Sequence, residues 1–250
     1  MEKEIAEFLG WYFGDGCMSI SNGRYQFSIT GDLKEELLFY NQTIIPTINK
    51  LFYDKLKDEV KLKKYPSVGV CGAYIFNKKF VTYLQEKYNI KHGEKLKVNL
   101  PIFDNKEQKI HFLRGLFDTD GSIYFCKSNV KTKKPTFCNT FHYKPKIKLA
   151  TISKELIDEA HKMLLELGFQ PRRYTLRKQR KNENVMYPIV LDTVKDTNKW
   201  INEVGFQNPK HITKIEIWRE HGFCPPNTKI KERLSIINGD LDPLDYYSSK

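Results

Sequence analysis

The nine residues FLGWYFGDG (residues 8–16) recur in related form as LRGLFDTDG (residues 113–121). Both copies end a pattern in which apolar residues recur every three or four positions, and this spacing predicts an amphipathic helix. Three residues match between the copies at a constant offset of 105, namely Gly10 with Gly115, Asp15 with Asp120, and Gly16 with Gly121. The repeat predicts that two halves of one chain build one site together.

The sequence that follows each copy repeats as well. Polar and apolar residues alternate over 24–30 and 144–149, which predicts strands with one buried face and one polar or basic face. Helix-start patterns follow at 32–35 and 153–156, with Asp32 and Ser153 as the capping residues. The remaining predicted elements are strand-like sequence over 60–75 and 173–194 and a final helix over 77–88 and 196–204.

Each half therefore predicts the order helix, strand, strand, helix, strand, strand, helix in an α+β fold. We assign residues 1–90 to the N-terminal half, 91–109 to an inter-repeat linker, 110–221 to the C-terminal half and 222–250 to a tail that wraps the surface. The first hairpin of the second half is about 16 residues longer than that of the first.

The overall composition points to a polyanionic partner. The 250-residue chain carries a net charge of +12, which favours nucleic acid, although a generally lysine-rich proteome would give a similar excess. The five cysteines are scattered without a Cys-x-x-Cys pair, which predicts an intracellular, reducing setting, either cytoplasm or organelle matrix. We find no signal peptide and no apolar stretch of membrane-spanning length, so no membrane partner is expected.

The two acids of the repeat are expected at unfavourable places. The C-terminal end of a helix carries partial negative charge, so Asp15 and Asp120 would each cost a few tenths to about 1 kcal/mol. A single acid there would be an ordinary solvated helix end; two at matching positions predict a bound cation. We expect Gly16 and Gly121 to stop the helices in a left-handed conformation. Small residues one turn apart allow the two helices to approach closely, namely Gly10 and Gly14, and Gly115 and Thr119.

The paired phrases and the shared order of elements resemble the LAGLIDADG homing endonuclease family, in its two-motif, single-chain form, over residues 4–220. The resemblance implies a pseudo-twofold duplicated αββαββα fold, with two saddle-shaped antiparallel sheets over DNA and the motif helices between the halves. It implies that Asp15 and Asp120 hold Mg²⁺ or Mn²⁺, with Gly14 and Thr119 beside them as metal-site residues. Asp118, at the sixth motif position, is expected to be peripheral. The polar residue that the family often carries at the end of the second strand is absent, because Gly31 and Ile152 stand there.

The resemblance also implies a lysine near each acid. In the first half Lys97 is the first choice and Lys95 the second, because both lie shortly before Pro101. Lys214 is the choice in the second half, because it follows Thr193 by 21 residues, as Lys97 follows Phe76. Each of these lysines has an alternative role as a phosphate contact or a solvated surface charge.

Basic and polar residues on the predicted hairpins form the expected DNA surface. Lysine and arginine runs bind a phosphate backbone by releasing its counterions, and mixed polar side chains suit base edges in the major groove. A disordered basic loop is the alternative for the long hairpin over 127–148. The expected DNA-binding residues are Asn22, Arg24, Gln26, Ser28, Thr30, Lys61, Lys63, Lys127, Lys131, Lys133, Lys144, Lys146, Lys148, Arg172, Arg173, Arg177 and Arg180.

These features predict a monomeric, intron-encoded or free-standing endonuclease that hydrolyses double-stranded DNA at a long, pseudo-palindromic or asymmetric site. The alternatives are a maturase that binds intron RNA and a catalytically inactive DNA-binding relative. A restriction-type site built from Asp104, Glu107 and Lys109 lacks a strand signature. A nuclease embedded in an intein is disfavoured because the expected splicing residues are missing at both ends of the sequence.

Overall fold

The fold consists of two similar halves, described here from a computed structural model that covers residues 1–91, 93, 98, 100–131, 133–176 and 184–248. In the first half a π-helical turn, Tyr40–Ile44, lies in the middle of one helical segment that runs from Leu37 to Leu51. The elements of this half are α1 (Lys3–Asp15), β1 (Gly16–Ser21), β2 (Arg24–Asp32), α2 (Leu37–Phe39), α3 (Ile45–Leu51), β3 (Lys63–Tyr65), β4 (Val70–Ile75) and α4 (Lys78–Tyr88).

The second half repeats this order and then adds further helices. Its last repeated helix continues as a π-helical turn, Trp200–Val204. The elements are α5 (Lys106–Thr119), β5 (Gly121–Cys126), α6 (Phe137–Thr140), β6 (Lys144–Thr151), α7 (Lys154–Glu166), β7 (Arg172–Arg173), β8 (Tyr187–Leu191), α8 (Val194–Lys199), α9 (Pro209–His221), α10 (Ile230–Ile237) and a 3-10 helix, Pro243–Tyr247. In the part of the chain described, no helix has the length and apolar character that crossing a membrane requires.

Each half contains one four-stranded antiparallel sheet, ordered β1-β2-β4-β3 and β5-β6-β8-β7. The alternation read from the sequence sets the two faces, because Phe27 and Ile29 in β2 and Ile147 and Leu149 in β6 are fully buried. Helices cover this apolar side, and the opposite face carries the polar side chains. The expected duplicated α+β fold is confirmed.

The two halves meet along α1 and α5 at glycines. A Cβ atom on Gly10 would overlap the backbone carbonyl oxygen of Phe112, and one on Gly115 would overlap that of Glu7. Backbone atoms cannot move aside as a flexible side chain can, so the two helices require glycine at both places. The close helix contact predicted from the repeat is confirmed.

A buried ion pair also joins α1 to α5. The Glu7 carboxylate, 4% exposed, accepts hydrogen bonds from Arg114 Nε at 2.7 Å and Nη2 at 2.6 Å. His111 Nδ1 lies 2.8 Å from the same carboxylate. Because Glu7 lies on α1 and its partners on α5, these contacts fix the two helices against each other.

The motif-ending glycines have a different role from the one predicted. Gly16 is extended, with φ −74° and ψ 154°, and Gly121 has no positive φ; each is the first residue of a strand. Each helix therefore continues directly into a strand, and glycine is required because a larger side chain would not fit. A Cβ on Gly16 would lie 2.7 Å from the Cα of Tyr12, and one on Gly121 would lie 2.7 Å from the Cα of Phe117.

One helix start differs from the prediction, and one helix begins inside the range assigned to the linker. Asp32 ends β2, and its Oδ1 accepts the backbone N–H groups of the following turn, so the helical segment begins later, at Leu37. Helix α5 begins at Lys106, inside the range 91–109 assigned to the linker. The helix start at Ser153 is confirmed, because its hydroxyl accepts the N–H of Leu156 at 3.3 Å.

The C-terminal tail is part of the fold rather than a surface wrapping. Arg233 on α10 is 1% exposed and joins α9 to the first half of the chain. Its Nε donates to Thr213 Oγ1 at 2.9 Å, and its Nη2 donates to Glu35 Oε2 at 2.6 Å. A third bond goes to the carbonyl oxygen of Thr228. The tail therefore holds the two halves together.

The long hairpin of the second half packs on the same tail. The rings of Phe141 and Phe223 stack with centroids 4.5 Å apart, and the backbone N–H of Cys224 donates to the carbonyl of His142 at 3.0 Å. His142 Nδ1 also lies 3.1 Å from the hydroxyl of Tyr247. Its described residues are therefore anchored by aromatic contacts, which contradicts the alternative of a disordered basic loop.

Candidate functional site

The two repeated acids stand at the adjoining ends of α1 and α5. Asp15 is the last residue of α1, and Asp120 caps α5 by donating its backbone N–H to Leu116 at 3.1 Å. A Cβ on Gly14 would lie 2.9 Å from Thr119 Cβ and 3.5 Å from the backbone nitrogen of Asp120. The glycine interface thus brings both helix ends, and the backbones of both acids, together.

The charge at this junction favours a cation. Two helix C-termini meet there, each with partial negative charge, and each adds a half-buried carboxylate. Among the residues in the described ranges, no three His, Cys, Asp or Glu side chains gather around one point. Mg²⁺ is commonly bound through one or two carboxylates while it keeps water and phosphate ligands. The donor set therefore fits a hard divalent cation that shares its coordination with water and a phosphate.

Gly14 and Thr119 offer only backbone atoms to such an ion. Glycine has no side chain, and the Thr119 hydroxyl lies 3.1 Å from the carbonyl oxygens of Gly115 and Leu116, to which it donates inside its own helix. Their proposed part in a metal site is therefore limited to their carbonyl oxygens.

Asp118 caps the start of α9. It is fully buried and accepts the backbone N–H groups of Gln207 and Asn208, each at 3.0 Å. Burial raises the pKa of Asp118 to about 8, although these N–H donors act in the opposite direction. Because its carboxylate is engaged at the start of α9, Asp118 is peripheral to the junction of Asp15 and Asp120, as expected.

Glu36 is a buried acid beside the junction that the sequence analysis did not single out. Its Oε1 accepts hydrogen bonds from Asn208 Nδ2 at 3.0 Å and Lys210 Nζ at 2.7 Å, both from the second half. A Cβ on Gly31 would overlap the Glu36 carboxylate. This explains why glycine stands at the end of β2, where the resemblance leads us to expect a polar side chain.

Tyr40 fills the remaining space next to Gly31. A Cβ on Gly31 would lie 2.7 Å from its ring, and the ring is fully buried. Burial raises the pKa of Tyr40 well above its usual range, and the charges of Asp15 and Glu36 raise it further. Its hydroxyl has no hydrogen-bond partner among the residues described. Tyr40 therefore stays protonated next to the acid of the first half.

Lys214 lies on α9 against the first strand of the second sheet. Its Nζ donates to the carbonyl of Ile123 at 3.2 Å, three residues beyond Asp120. The pKa of Lys214 is lowered to about 8, mainly by burial and then by the positive charge of Arg233. An adjoining cavity of about 370 Å³ is lined in part by Tyr124 and Cys224. Lys97 and Lys95 lie outside the described residues.

The polar faces of both sheets carry most of the expected DNA-binding residues. Arg24, Gln26, Ser28 and Thr30 alternate with the buried side chains of β2, and Ser28 is itself nearly buried. Asn22 lies in the exposed β1–β2 turn, with a φ of 49°. The other exposed or half-buried members are Lys61, Lys63, Lys127, Lys131, Lys133, Lys144, Lys146 and Lys148.

The expected arginines of the second half are placed differently from one another. Arg172 pairs with Val190 on the polar face and forms an ion pair with Asp192 at 2.5 Å. Arg173 pairs instead with the buried Ile189 and forms an ion pair with Asp158 on α7, so it lies on the helix side of the sheet. Arg177 and Arg180 lie outside the described residues.

The restriction-type alternative finds no support in this geometry. Glu107 and Lys109 lie on helix α5 and form separate ion pairs, with Lys3 at 3.0 Å and with Glu166 at 2.8 Å. The acid and lysine of such a site would have to face one scissile phosphate together, and these two are engaged elsewhere.

Comparison with known families settles the classification. The sequence model of the LAGLIDADG-like domain matches residues 107–238, which is just over half of the chain and includes α5 and the second motif. The chain belongs to the LAGLIDADG-like domain family. The match extends to the end of α10, so in this member the family region includes the helix that carries Arg233.

Solved structures similar to this LAGLIDADG protein share its fold. The crystal structure of I-DmoI in complex with DNA and Mn has a TM-score of 0.54 and 17% identity, covering 81% of this chain and 96% of that one. The I-DmoI complex with DNA and Ca has a TM-score of 0.52 and 18% identity, covering 81% and 88%. Full-length WhiA from Thermatoga maritima has a TM-score of 0.50 and 14% identity, covering 95% and 66%.

A curated relative is similar over nearly the whole LAGLIDADG chain. The replication factor C small subunit of Methanocaldococcus jannaschii is 26% identical over 248 residues, which are 98% of this chain. The aligned part is 11% of that relative, so the present chain spans about a tenth of its length.

Proposed function

We propose that this protein is a site-specific double-strand DNA endonuclease of the homing type, with Asp15 and Asp120 as its metal-binding acids. One observation carries the proposal. The glycine interface joins the ends of α1 and α5, so that two acids meet where two sheets begin. Each sheet turns a polar or basic face outward from this junction. Such an arrangement suits a duplex that crosses both sheets with its scissile phosphates above the acids.

The chain's own residues would bind the DNA, and one of them, Lys214, would hold or release a proton. The basic residues of the sheets hold the phosphate backbone, and polar side chains on the strands meet base edges. Asp15 and Asp120 would hold Mg²⁺ or Mn²⁺, which would supply an activated water and stabilise the leaving oxygen. Lys214, whose pKa is about 8, holds or releases a proton near neutral pH beside the second half of the site. We propose Lys97 for the same role in the first half, because of its place in the sequence.

Two of the similar structures support the choice of partner and ion. I-DmoI was solved in complex with DNA and Mn, and also with DNA and Ca. By analogy in fold we propose double-stranded DNA as substrate and a divalent cation as cofactor here, with Mg²⁺ as the first candidate. Because one chain already contains both halves, we propose that it acts as a monomer.

A cleavage assay with matched variants tests the proposal. The DNA is a duplex library selected for binding in Ca²⁺, and cleavage is then started with Mg²⁺ or Mn²⁺. Asp15→Asn and Asp120→Asn are expected to retain binding and to lose double-strand cleavage, because each removes one metal-binding charge. Asp104→Asn, at an exposed acid, is the control and is expected to cut like the wild type. Wild-type cleavage by either motif variant would refute the assignment.

The same assay separates the alternative functions. A maturase would bind a structured intron RNA tightly and leave DNA intact, and an inactive relative would bind DNA without cutting it. A second genetic context, a module inserted in a longer host protein, also has support. The similarity to the replication factor covers 98% of this chain but only 11% of that protein. The shared module lies there within a much longer chain, so we propose a module embedded in a host protein as the alternative to an intron-encoded enzyme.

A further inference from the structure

The register of the two sheets makes their outward residues directly comparable. Gly16, the first residue after one acid, pairs with Ile29, and Gly121, the first after the other, pairs with Leu149. Positions of β2 therefore correspond to positions of β6 counted from these pairs. The outward positions correspond as Ser28 with Lys148, Gln26 with Lys146, and Arg24 with Lys144. The second half thus has lysine at two places where the first has a neutral polar side chain.

These positions lie on interior strands. β2 and β6 are each flanked by a strand on both sides. Strands are about 4.8 Å apart and the major groove is about 12 Å wide, so interior strands face the floor of the groove and edge strands face its walls. The other interior strand of the second sheet presents Pro188 and Val190 on this face, and neither side chain donates a hydrogen bond. In the second sheet, therefore, hydrogen bonds donated to bases from the interior strands must come from β6.

The lysines of β6 are available for such contacts. Lys144, Lys146 and Lys148 form no hydrogen bond or ion pair with any residue in the described ranges, whereas Arg172 on the edge strand is paired with Asp192. All three lysines are half-buried, so part of each side chain is held by its surroundings, and Lys146 stands opposite Tyr124. Partly held stems with unengaged ammonium groups suit a fixed contact better than freely moving surface lysines do.

We propose that the two sheets read different bases at corresponding positions, with Lys146 and Lys148 contacting guanine and Gln26 contacting adenine. Lysine donates to O6 and N7 of guanine, and glutamine pairs with N6 and N7 of adenine. Ser28 is short and nearly buried, so it contributes little discrimination opposite Lys148. The proposal deepens the DNA endonuclease function and rests on it.

The strand geometry turns this into a spacing. Outward residues two apart are separated by about 6.6 Å along a strand, and base pairs are about 3.4 Å apart along the duplex. Successive outward positions therefore fall about 2 base pairs apart. Lys148 is nearest to the acids and Lys146 about 2 base pairs further out. The Gln26 adenine is expected in the other half-site, at the distance that matches Lys146.

The test measures, for the wild type and for variants at positions 26 and 146, how binding affinity changes with each base pair of the duplex. A randomised duplex library is selected in Ca²⁺ with the wild type, and every position of the selected duplex is then changed to each of the other base pairs. Lys146→Gln is expected to change one preference from guanine to adenine, by roughly 5- to 150-fold. Gln26→Lys is expected to make the reverse change in the other half-site. Lys146→Arg should keep the guanine preference, because arginine makes the same contact.

Lys127→Gln, in the exposed hairpin, is the matched control for a phosphate contact. It should weaken all sequences equally and lower the slope of log affinity against log salt by about 0.9. If Lys146→Gln behaves in this way, with a lower slope and an unchanged base profile, the guanine assignment is wrong although the endonuclease function stands. If the wild type selects no preferred duplex, the proposed function and the base assignment both fail.

Discussion

Replacement of Arg233 by methionine tests how much the C-terminal tail contributes to the fold. Arg233 is 1% exposed, and two of its three hydrogen bonds join α10 to Thr213 on α9 and to Glu35 of the first half. Removal of one partner from a buried pair costs about 3–5 kcal/mol. The Glu35 side chain is 25% exposed and can regain water, so we expect a cost below this range, about 2–3 kcal/mol. Methionine fills much of the space, which limits the contribution of a cavity.

Urea unfolding at pH 7 measures this loss, with two variants that identify its source. Lys231→Met, at an exposed position on the same helix, should change the free energy of unfolding by no more than about 0.5 kcal/mol. Glu35→Gln keeps an acceptor but removes the charge, so its effect should be smaller than that of Arg233→Met and not additive with it. If Arg233→Met costs no more than Lys231→Met, the tail is not a link between the halves.

Two further predictions concern buried groups next to the acids. Lys214→Met should stabilise the fold at pH 7 by on the order of 2–3 kcal/mol, because the folded state lowers the lysine pKa from 10.5 to about 8 and so disfavours the charged form. Below pH 8 the wild type carries the full free-energy cost of burying the charged lysine, and it loses this cost as the pH rises to 10.5. The free energies of unfolding of the two proteins should therefore converge between pH 8 and pH 10.5. A constant difference over that range would contradict the lowered pKa. Tyr40→Phe should leave stability unchanged or raise it by about 1 kcal/mol, because the hydroxyl is buried without a described partner, and a loss above 1 kcal/mol in thermal or urea unfolding would show that the hydroxyl is satisfied.

The sequence predicted those parts of the fold that depend on local pattern. Alternation over 24–30 and 144–149 predicted β2 and β6, because one face of each strand must be apolar to cover the core. The small residues at Gly10 and Gly115 predicted the close contact of α1 and α5, since a side chain there would meet backbone. Each signal, the alternation within one strand or the small residues one turn apart in one helix, spans only a few residues of sequence.

The parts that were missed depend on contacts between distant segments. Glu36 was missed because its partner Lys210 lies 174 residues later in the chain. Arg233 looks like one more basic residue in a tail until the fold pairs it with Glu35. The predicted left-handed conformation of Gly16 was wrong. The helix continues directly into a strand there, and glycine is needed because a side chain would not fit rather than because of a left-handed cap.

The central claim is that Asp15 and Asp120 form one metal site with two halves. Its most direct test is strand-resolved cleavage of the selected duplex, with each strand labelled at one end, by the wild type, Asp15→Asn and Asp120→Asn in Mg²⁺. The account predicts that the wild type cuts both strands and that each variant binds the duplex but makes no double-strand break. Cleavage of both strands at the wild-type rate by either variant would contradict it.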